Sequence, residues 1–354
     1  VDFTLSEEQQ LLRDSIARFV QNEYSFEARR KILASPAGWS GAVWAQFAEM
    51  GLLGVAFAEA DGGFGGSGID LMVVMQELGR GLVVEPYLAT VVLGGGAVAA
   101  GGSAAQRQAL LPGVVEGKRQ LALAYGEPTA RYDLQDVKTA ARRDGAGYVL
   151  RGAKAVVLNG ATAETFVVSA RTAGAQRDAR GITLFLVERG SKGLSVTDYR
   201  TIDGLRAADV VLDDVRVGAD AVLGEVDGAL PLLERAIDLG AAALCAEAVG
   251  AMEQLNALTL DYLKTRQQFG QPIGRFQALQ HRAVDMLIHA EQSKSMACLA
   301  AVRVQIDDAA ERCPRRNRSP GARRERSRRR QRSSTAAWAS RSSSPRHTTR
   351  SASR

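Results

Sequence analysis

The chain has 354 residues, long enough for two or three domains and a large buried core. Its 45 basic against 39 acidic side chains leave a net charge of +6, which taken whole would point to a phosphate-bearing partner. The last 41 residues (314–354) hold fourteen Arg, no Lys and one acid, Glu325, a net of +13, so the preceding 313 carry −7 and the body gives no charge argument for nucleic acid.

Cys245, Cys298 and Cys313 make no disulfide framework and lack metal-ligand spacing, so no metal is expected. The chain opens on polar helix signals rather than a charged-then-apolar leader, and a soluble, cytoplasmic protein is the expectation. The uncharged stretch Pro86–Gln106 is long enough to raise the question of a membrane span. Its Gly94-Gly95-Gly96 and Gly101-Gly102 mark it instead as a close-packed buried helix pair, and no membrane partner is expected.

The first third reads as helical. Thr4 with Glu7, and Ser6 with Gln9, have capping-box spacing, and Leu11, Leu12, Ile16, Phe19 and Val20 then recur at helix period. Further helical patterns cover 39–51, 70–82, 86–100 and 104–117, separated by glycine-rich breaks. The break Asp61–Gly68 lacks the strand-before, helix-after context of a dinucleotide fingerprint and reads as a structural loop. The period then changes: 120–125, 137–142, 148–158, 166–170, 182–187 and 209–212 are short β-rich runs. From Gly228 the helix period returns, with one long helix over 230–263, a break at Phe269–Gly274, and a second over 276–310. The expected fold class is multi-domain α+β. An N-terminal helical domain (1–117) precedes a central antiparallel, β-barrel-like domain (118–224). An incomplete C-terminal four-helix-bundle domain (225–313) and an Arg/Ser-rich tail (314–354) follow.

With these motifs, residues 1–312 resemble the acyl-CoA dehydrogenase family. The resemblance lies in Phe3–Gln9, in the glycine loop Gly54–Gly65, in the strand Gly152–Gly160 and above all in Tyr262–Gln277 with Leu279, Gln280, His281, Ala283, Asp285 and Met286 after it. Within the family, Ala243–Gly250 is most similar to the small-subunit branch of pimeloyl-CoA dehydrogenases. The resemblance implies an FAD-dependent desaturation of an acyl-CoA thioester, with electrons passed to an electron-transfer flavoprotein. It implies an oligomer too, with a large-subunit paralogue or with further copies, because the family's Arg, Phe and Gln at the positions of Arg266, Phe269 and Gln277 serve a neighbouring subunit's FAD. Arg266 is a planar cation suited to a pyrophosphate, Phe269 offers an apolar face, and Gln277 can donate and accept at a nucleotide edge. The family's first flavin-side strand reads Tyr125-Gly126-Glu127-Pro128 here, with Gly126 where a Thr is usual and the later Gly-Ser-Asp missing. Val156 and Leu158 stand in place of the Trp and Thr that the family sets over the ring. Strand amides at Tyr125, Gly126, Val156 and Leu158 remain available whatever the side chain.

The catalytic base is missing from both of its family positions. No Tyr-Glu-Gly-Thr stretch occurs, and Gly240 occupies the other place, ten residues before Gly250, with Ala241 after it where an Arg is frequent. On the same helix Asp238 is rotated by about 200° from that position. Glu247, seven residues on, is the remaining candidate, against the reading of a buried polar residue paired at a subunit interface. These absences favour a non-catalytic assembly subunit as the rival reading.

The tail has the composition of a disordered segment. A nucleic-acid arm is one reading of it and rests wholly on that segment. Back-translated with permitted codons and read from the third base, Gln331–Arg341 gives Ala-Gln-Leu-His-Gly-Gly-Met-Gly-Val-Thr, which contains the segment the family carries at this point. We read a frameshift near Arg312 or Cys313, in the gene or in its sequencing, and the nucleotide sequence around codon 312 decides it. Apolar faces left open on 230–310 would favour aggregation or rescue by a partner.

Overall fold

The computed structural model describes residues 4–311; the tail and its frame reading lie outside them. Helix α1 (Glu7–Glu23) starts from Ser6, whose hydroxyl accepts the Gln9 amide at 3.2 Å while Gln9 accepts the Ser6 amide at 3.1 Å. It buries Ile16 and Phe19 against Trp44 and Phe47 of α3 (Gly41–Glu49), which follows α2 (Phe26–Ala34). Helix α4 (Gly68–Arg80) opens on a second capping box, Ser67 with Asp70. The preceding glycines make a tight structural turn, as expected: a Cβ at Gly63 would lie 2.3 Å from Phe57 O, and one at Gly66 2.4 Å from Val55 O.

The uncharged stretch departs from a plain helix. Leu88–Gly95 is a π-helix, continued by α5 (Gly96–Gly101), and α6 (Ala104–Val115) follows after a Ser103–Gln106 capping box. The wider coil presses backbone onto its neighbours, because a Cβ at Gly94 would sit 2.6 Å from Leu121 Cβ and one at Gly95 2.6 Å from Phe57 Cζ. Among the described residues no helix is long and apolar enough to cross a membrane.

The middle domain is one sheet. Its strands are β1 (Leu121–Ala124), β2 (Ala140–Asp144), β3 (Gly147–Leu158), β4 (Thr165–Arg171), β5 (Ile182–Glu188), β6 (Leu194–Arg200), β7 (Arg206–Val217) and β8 (Val222–Leu223). The order is β6-β7-β3-β2-β4-β5-β8, with β1 beside β4. Most pairings are antiparallel, as expected. The exceptions are β1, which runs parallel to β4 from Leu121↔Thr165, and the single β2–β4 pair Ala140↔Arg171. All four β1 residues are buried, the mark of a strand covered on both faces, here by the sheet core and the π-helix. Strand β6 has no counterpart among the sequence runs, since it is a polar edge strand with little apolar signal.

Helices α7 (Leu230–Thr265) and α8 (Gln277–Glu311) form the antiparallel pair, joined by a small hairpin that pairs Gln267 with Pro272 and Gln268 with Gln271. Helix α4 packs along both. One apolar core runs through the helices and β1, and a second fills the β-domain around Phe166, Phe185 and Leu212.

Candidate functional site

Strand β1 ends at Ala124 and is followed by Tyr125 and Gly126, and the Gly126 carbonyl accepts the Ala155 amide at 2.9 Å, which sets the two strand ends side by side. A Cβ at Gly126 would lie 3.1 Å from Ala155 O, so this close approach suits a glycine. Beyond Ala155 the β3–β7 register slips between Lys154 and Val157. In that bulge Val156 takes a positive φ of 54°, its amide donates to Asp209 Oδ1 at 3.2 Å, and its side chain is 58% exposed. Tyr125 and Leu158 are half-buried against the helical core. Tyr125, Gly126, Val156 and Leu158, chosen from sequence, therefore lie where the C-terminal ends of β1 and β3 meet, called here the Tyr125–Leu158 edge.

One residue along each strand from the Gly126–Ala155 bond lies a buried ion pair. Lys154 Nζ is 2.7 Å from Glu127 Oε1, and both side chains are almost fully withdrawn from solvent. Glu127 also accepts the Thr139 amide at 3.0 Å and the Lys138 amide at 2.8 Å, while Lys154 donates to Ser169 Oγ at 3.0 Å. Burial pushes Lys154 down to about 8, with Glu127 only partly offsetting it. For Glu127, burial acts upward, but the Lys154 charge and three hydrogen bonds outweigh it and hold the carboxyl below its usual value. Neither residue stood out in the sequence as a site residue. A lysine inside a β-rich run reads as solvent-facing, and only its inward register in β3 signals otherwise.

The acid titration of this pair has a definite sign. The folded state holds Glu127 below its ordinary value of 4.5, so the unfolded chain takes up the proton first. Stability from the pair is present above that value and lost as the pH falls beneath it. Glu77 and Glu85 are raised by burial and act in the opposite direction. The difference in denaturation midpoint between the native chain and Glu127→Gln is therefore expected to shrink steadily from pH 6 to pH 3.

Arg266, Phe269 and Gln277 lie elsewhere, at the far turn of the α7–α8 pair. Arg266 closes α7, its carbonyl accepting the Ile273 amide at 2.8 Å. Its guanidinium has no hydrogen-bond or ion-pair partner among the described residues. Phe269, at φ 54° and 91% exposed, stands edge-on to Phe276 with ring centres 6.0 Å apart. Gln277 opens α8. No hydrogen bond or ring contact joins these three to the Tyr125–Leu158 edge among the described residues.

Gly240 is buried against the π-helix, and a Cβ there would lie 2.6 Å from Leu93 Cδ2. The end of an apolar side chain thus lies against this position. Glu247 is half-buried about 10 Å further along α7, with its backbone pressed on Gly79 of α4: a Cβ at Gly79 would meet Glu247 O at 2.0 Å. A separate cleft of about 510 Å³, lined by Asp144, Tyr148, Arg216 and Asp220 among others, opens at the β2–β3 turn. It sits at the other end of β3 from Val156, and its Arg216 is already paired with Asp144 at 2.6 Å.

FAD requires an apolar seat for a flat ring and a fixed cation for a pyrophosphate. The edge supplies the first through Tyr125, Leu158 and the exposed Val156, and the hairpin supplies the second through the unpaired Arg266. The residues fit, in two separate regions of one chain.

Sequence profiles described as the N-terminal, middle and C-terminal domains of acyl-CoA dehydrogenase match residues 6–118, 122–215 and 230–318. The chain is 32% identical over 300 residues to the mitochondrial isovaleryl-CoA dehydrogenase of Pongo abelii, covering 83% of this chain and 70% of that one. Among solved structures, a variant of the Tcur3481–Tcur3483 steroid ACAD is 34% identical with a TM-score of 0.74, covering 84% of this chain and 78% of that one. The ChsE4–ChsE5 complex from Mycobacterium tuberculosis is 30% identical with a TM-score of 0.78, covering 87% and 81%.

Proposed function

The chain belongs to the acyl-CoA dehydrogenase family, and we propose that it acts as the small subunit of a heteromeric, FAD-dependent enzyme that desaturates an acyl-CoA thioester. The observation that supports this reading is the separation of two groups of residues, Tyr125, Gly126, Val156 and Leu158 at the ends of β1 and β3 and Arg266, Phe269 and Gln277 at the α7–α8 hairpin, a split that suits a flavin site shared between two chains. The row of exposed apolar residues on α7 and α8, including Leu255, Leu258, Tyr262, Leu287 and Ile288, supports an apolar interface with that chain. The ChsE4–ChsE5 structure is itself a complex of two proteins, which supports a heteromeric arrangement. Similarity of Ala243–Gly250 to pimeloyl-CoA dehydrogenase small subunits supports a dicarboxylyl acyl group, and the family resemblance supports an electron-transfer flavoprotein as acceptor.

FAD, when bound, supplies the acceptor for the hydride that leaves the acyl β-carbon. This chain's own residues provide the seat: the Gly126 carbonyl and Ala155 amide fix the strand ends, and Tyr125, Val156 and Leu158 exclude water from one face. Arg266, Phe269 and Gln277 hold the cofactor of the neighbouring subunit. Removal of the α-proton requires a carboxylate in a dry pocket, and we assign that base to the large-subunit partner.

A second reading, a non-catalytic assembly subunit, draws on the Gly240–Leu93 contact. Purification with and without the large subunit separates the two. Yellow colour from this chain alone would defeat the assembly reading, whereas colour that forms only in the complex supports a shared site; bleaching by an acyl-CoA without the large subunit would overturn the assignment of the base to that partner. Within the complex, Glu247→Gln is expected to leave turnover within about twofold of normal, because a lost general base costs about 10²–10⁴ in rate. A loss of that size would restore Glu247 as the base.

A further inference from the structure

We propose that Glu127 and Lys154 are positioning residues for the flavin seat, their buried pair setting the spacing of the two strand ends on which the ring rests. Each partner is one residue from a member of the main-chain bond that joins those ends: Glu127 follows Gly126, whose carbonyl accepts, and Lys154 precedes Ala155, whose amide donates at 2.9 Å. A side-chain bond of 2.7 Å and a main-chain bond therefore lie in adjacent register, and together they lock β1 to β3.

The pair reaches further than two strands. Through the Lys138 and Thr139 amides, Glu127 fixes the entry to β2, and through Ser169 Oγ, Lys154 is tied to β4. Four segments meet on one carboxylate and one ammonium, each two residues along its strand from Tyr125 or Val156. The bulge needs such an anchor. Between Lys154 and Val157 the β3–β7 ladder loses its register, and the exposed Val156 is held on that side through its amide to Asp209 at 3.2 Å. Lys154 is the last residue of β3 before the slip that is paired to β7, opposite Val210. A seat that rests on a bulge is only as well placed as the strand feeding it.

This inference rests on the flavin lying at that edge, so its test carries a control for that reading. In the full chain, in the assembly it forms, FAD is titrated and its dissociation constant and the visible circular dichroism of the bound flavin are measured. The control is Val156→Asp, an exposed position whose replacement leaves the core intact; if it binds FAD as the native chain does, the flavin is not at this edge and the seat reading fails by itself. Given a weakened control, the double variant Glu127→Gln/Lys154→Met, which removes both charges together, is expected to bind FAD about tenfold or more weakly, the scale on which outer partners act on a bound group. It is also expected to show an altered flavin dichroism at saturation, which a change in fold stability alone would not produce. Native affinity and native dichroism in the folded double variant would overturn the proposal. Should the double variant fail to fold, Ser169→Ala, which removes only the hydroxyl accepting from Lys154, is measured in its place. A smaller shift in both readouts supports the role, and no shift in either overturns it.

Discussion

Glu127→Gln is expected to lower the stability of the fold by about 3–5 kcal/mol, the cost of leaving one partner of a buried ion pair alone. Lys154 would lose its one counter-charge in the pair, keeping the Ser169 hydroxyl at 3.0 Å and competing with the Lys138 and Thr139 amides for the single glutamine oxygen. Lys154→Met should cost somewhat less, since Glu127 keeps the amides of Lys138 and Thr139. The double variant is expected to recover most of the loss, because removing both charges removes the desolvation that made each costly. A residue of about 1–3 kcal/mol remains where a single amide oxygen replaces two carboxylate oxygens and one backbone N–H loses its acceptor. Urea denaturation of the three variants measures the coupling. Singles that simply add up in the double would sink the account.

The same variant has an alkaline signature. Burial already brings Lys154 from 10.5 to about 8 with Glu127 in place. Without that carboxylate the folded value falls further, so the folded chain binds fewer protons than the unfolded chain across the interval up to 10.5. Stability of Glu127→Gln must then rise with pH through that interval. A denaturation midpoint that stays flat from pH 7 to pH 10 would show that Lys154 is not the group left bare.

What the sequence shows plainly is whatever local chemistry decides. Ser6, Ser67 and Ser103 each start a helix with a partner three residues on, and each helix begins there. The long α7 and α8 follow from sustained apolar periodicity, and the hairpin with Arg266 from an unusual run of residues. The ion pair is hidden because a bulge breaks the period of two: Lys154 and Val157 both point inward and Val156 points out, so no steady alternation marks Lys154 as buried. The π-helix is hidden because Leu88–Gly95 has an ordinary helical composition, and its wider coil is imposed by Leu121 and Phe57 against bare glycines. The parallel placing of β1 depends on residue 165, more than forty positions away, a pairing that no window of sequence reports.

The second large effect lies where α4 crosses α7. Alanine in place of glycine inside a helix ordinarily gains about 1 kcal/mol from propensity. At Gly250 that gain is overwhelmed: an added Cβ would lie 1.7 Å from Gln76 O and 2.8 Å from Arg80 N, both backbone atoms that cannot rotate away. At Gly79, facing it, a Cβ would lie 2.0 Å from Glu247 O. Either substitution forces the helices apart by more than an ångström, and each is expected to cost about 3 kcal/mol, the upper part of the usual range for overpacking. Gly41→Ala, with nothing within 4 Å of the new Cβ, is the control and should be neutral or slightly stabilising. The two crossing variants share one cause, so their double should cost clearly less than their sum. Separation also strains the polar ties that cross here, Arg80 to Glu253 at 2.6 Å, Gln76 to Glu253 at 2.9 Å and Lys294 to Glu253 at 3.3 Å. Arg266 lies sixteen residues beyond Gly250 on α7, a lever of about 24 Å, so a small tilt at the crossing displaces the hairpin. If the hairpin joins the proposed partner subunit, Gly250→Ala should weaken that assembly more than Gly41→Ala does, and sedimentation of the mixture against denaturation of the chain distinguishes that lever from a plain loss of stability.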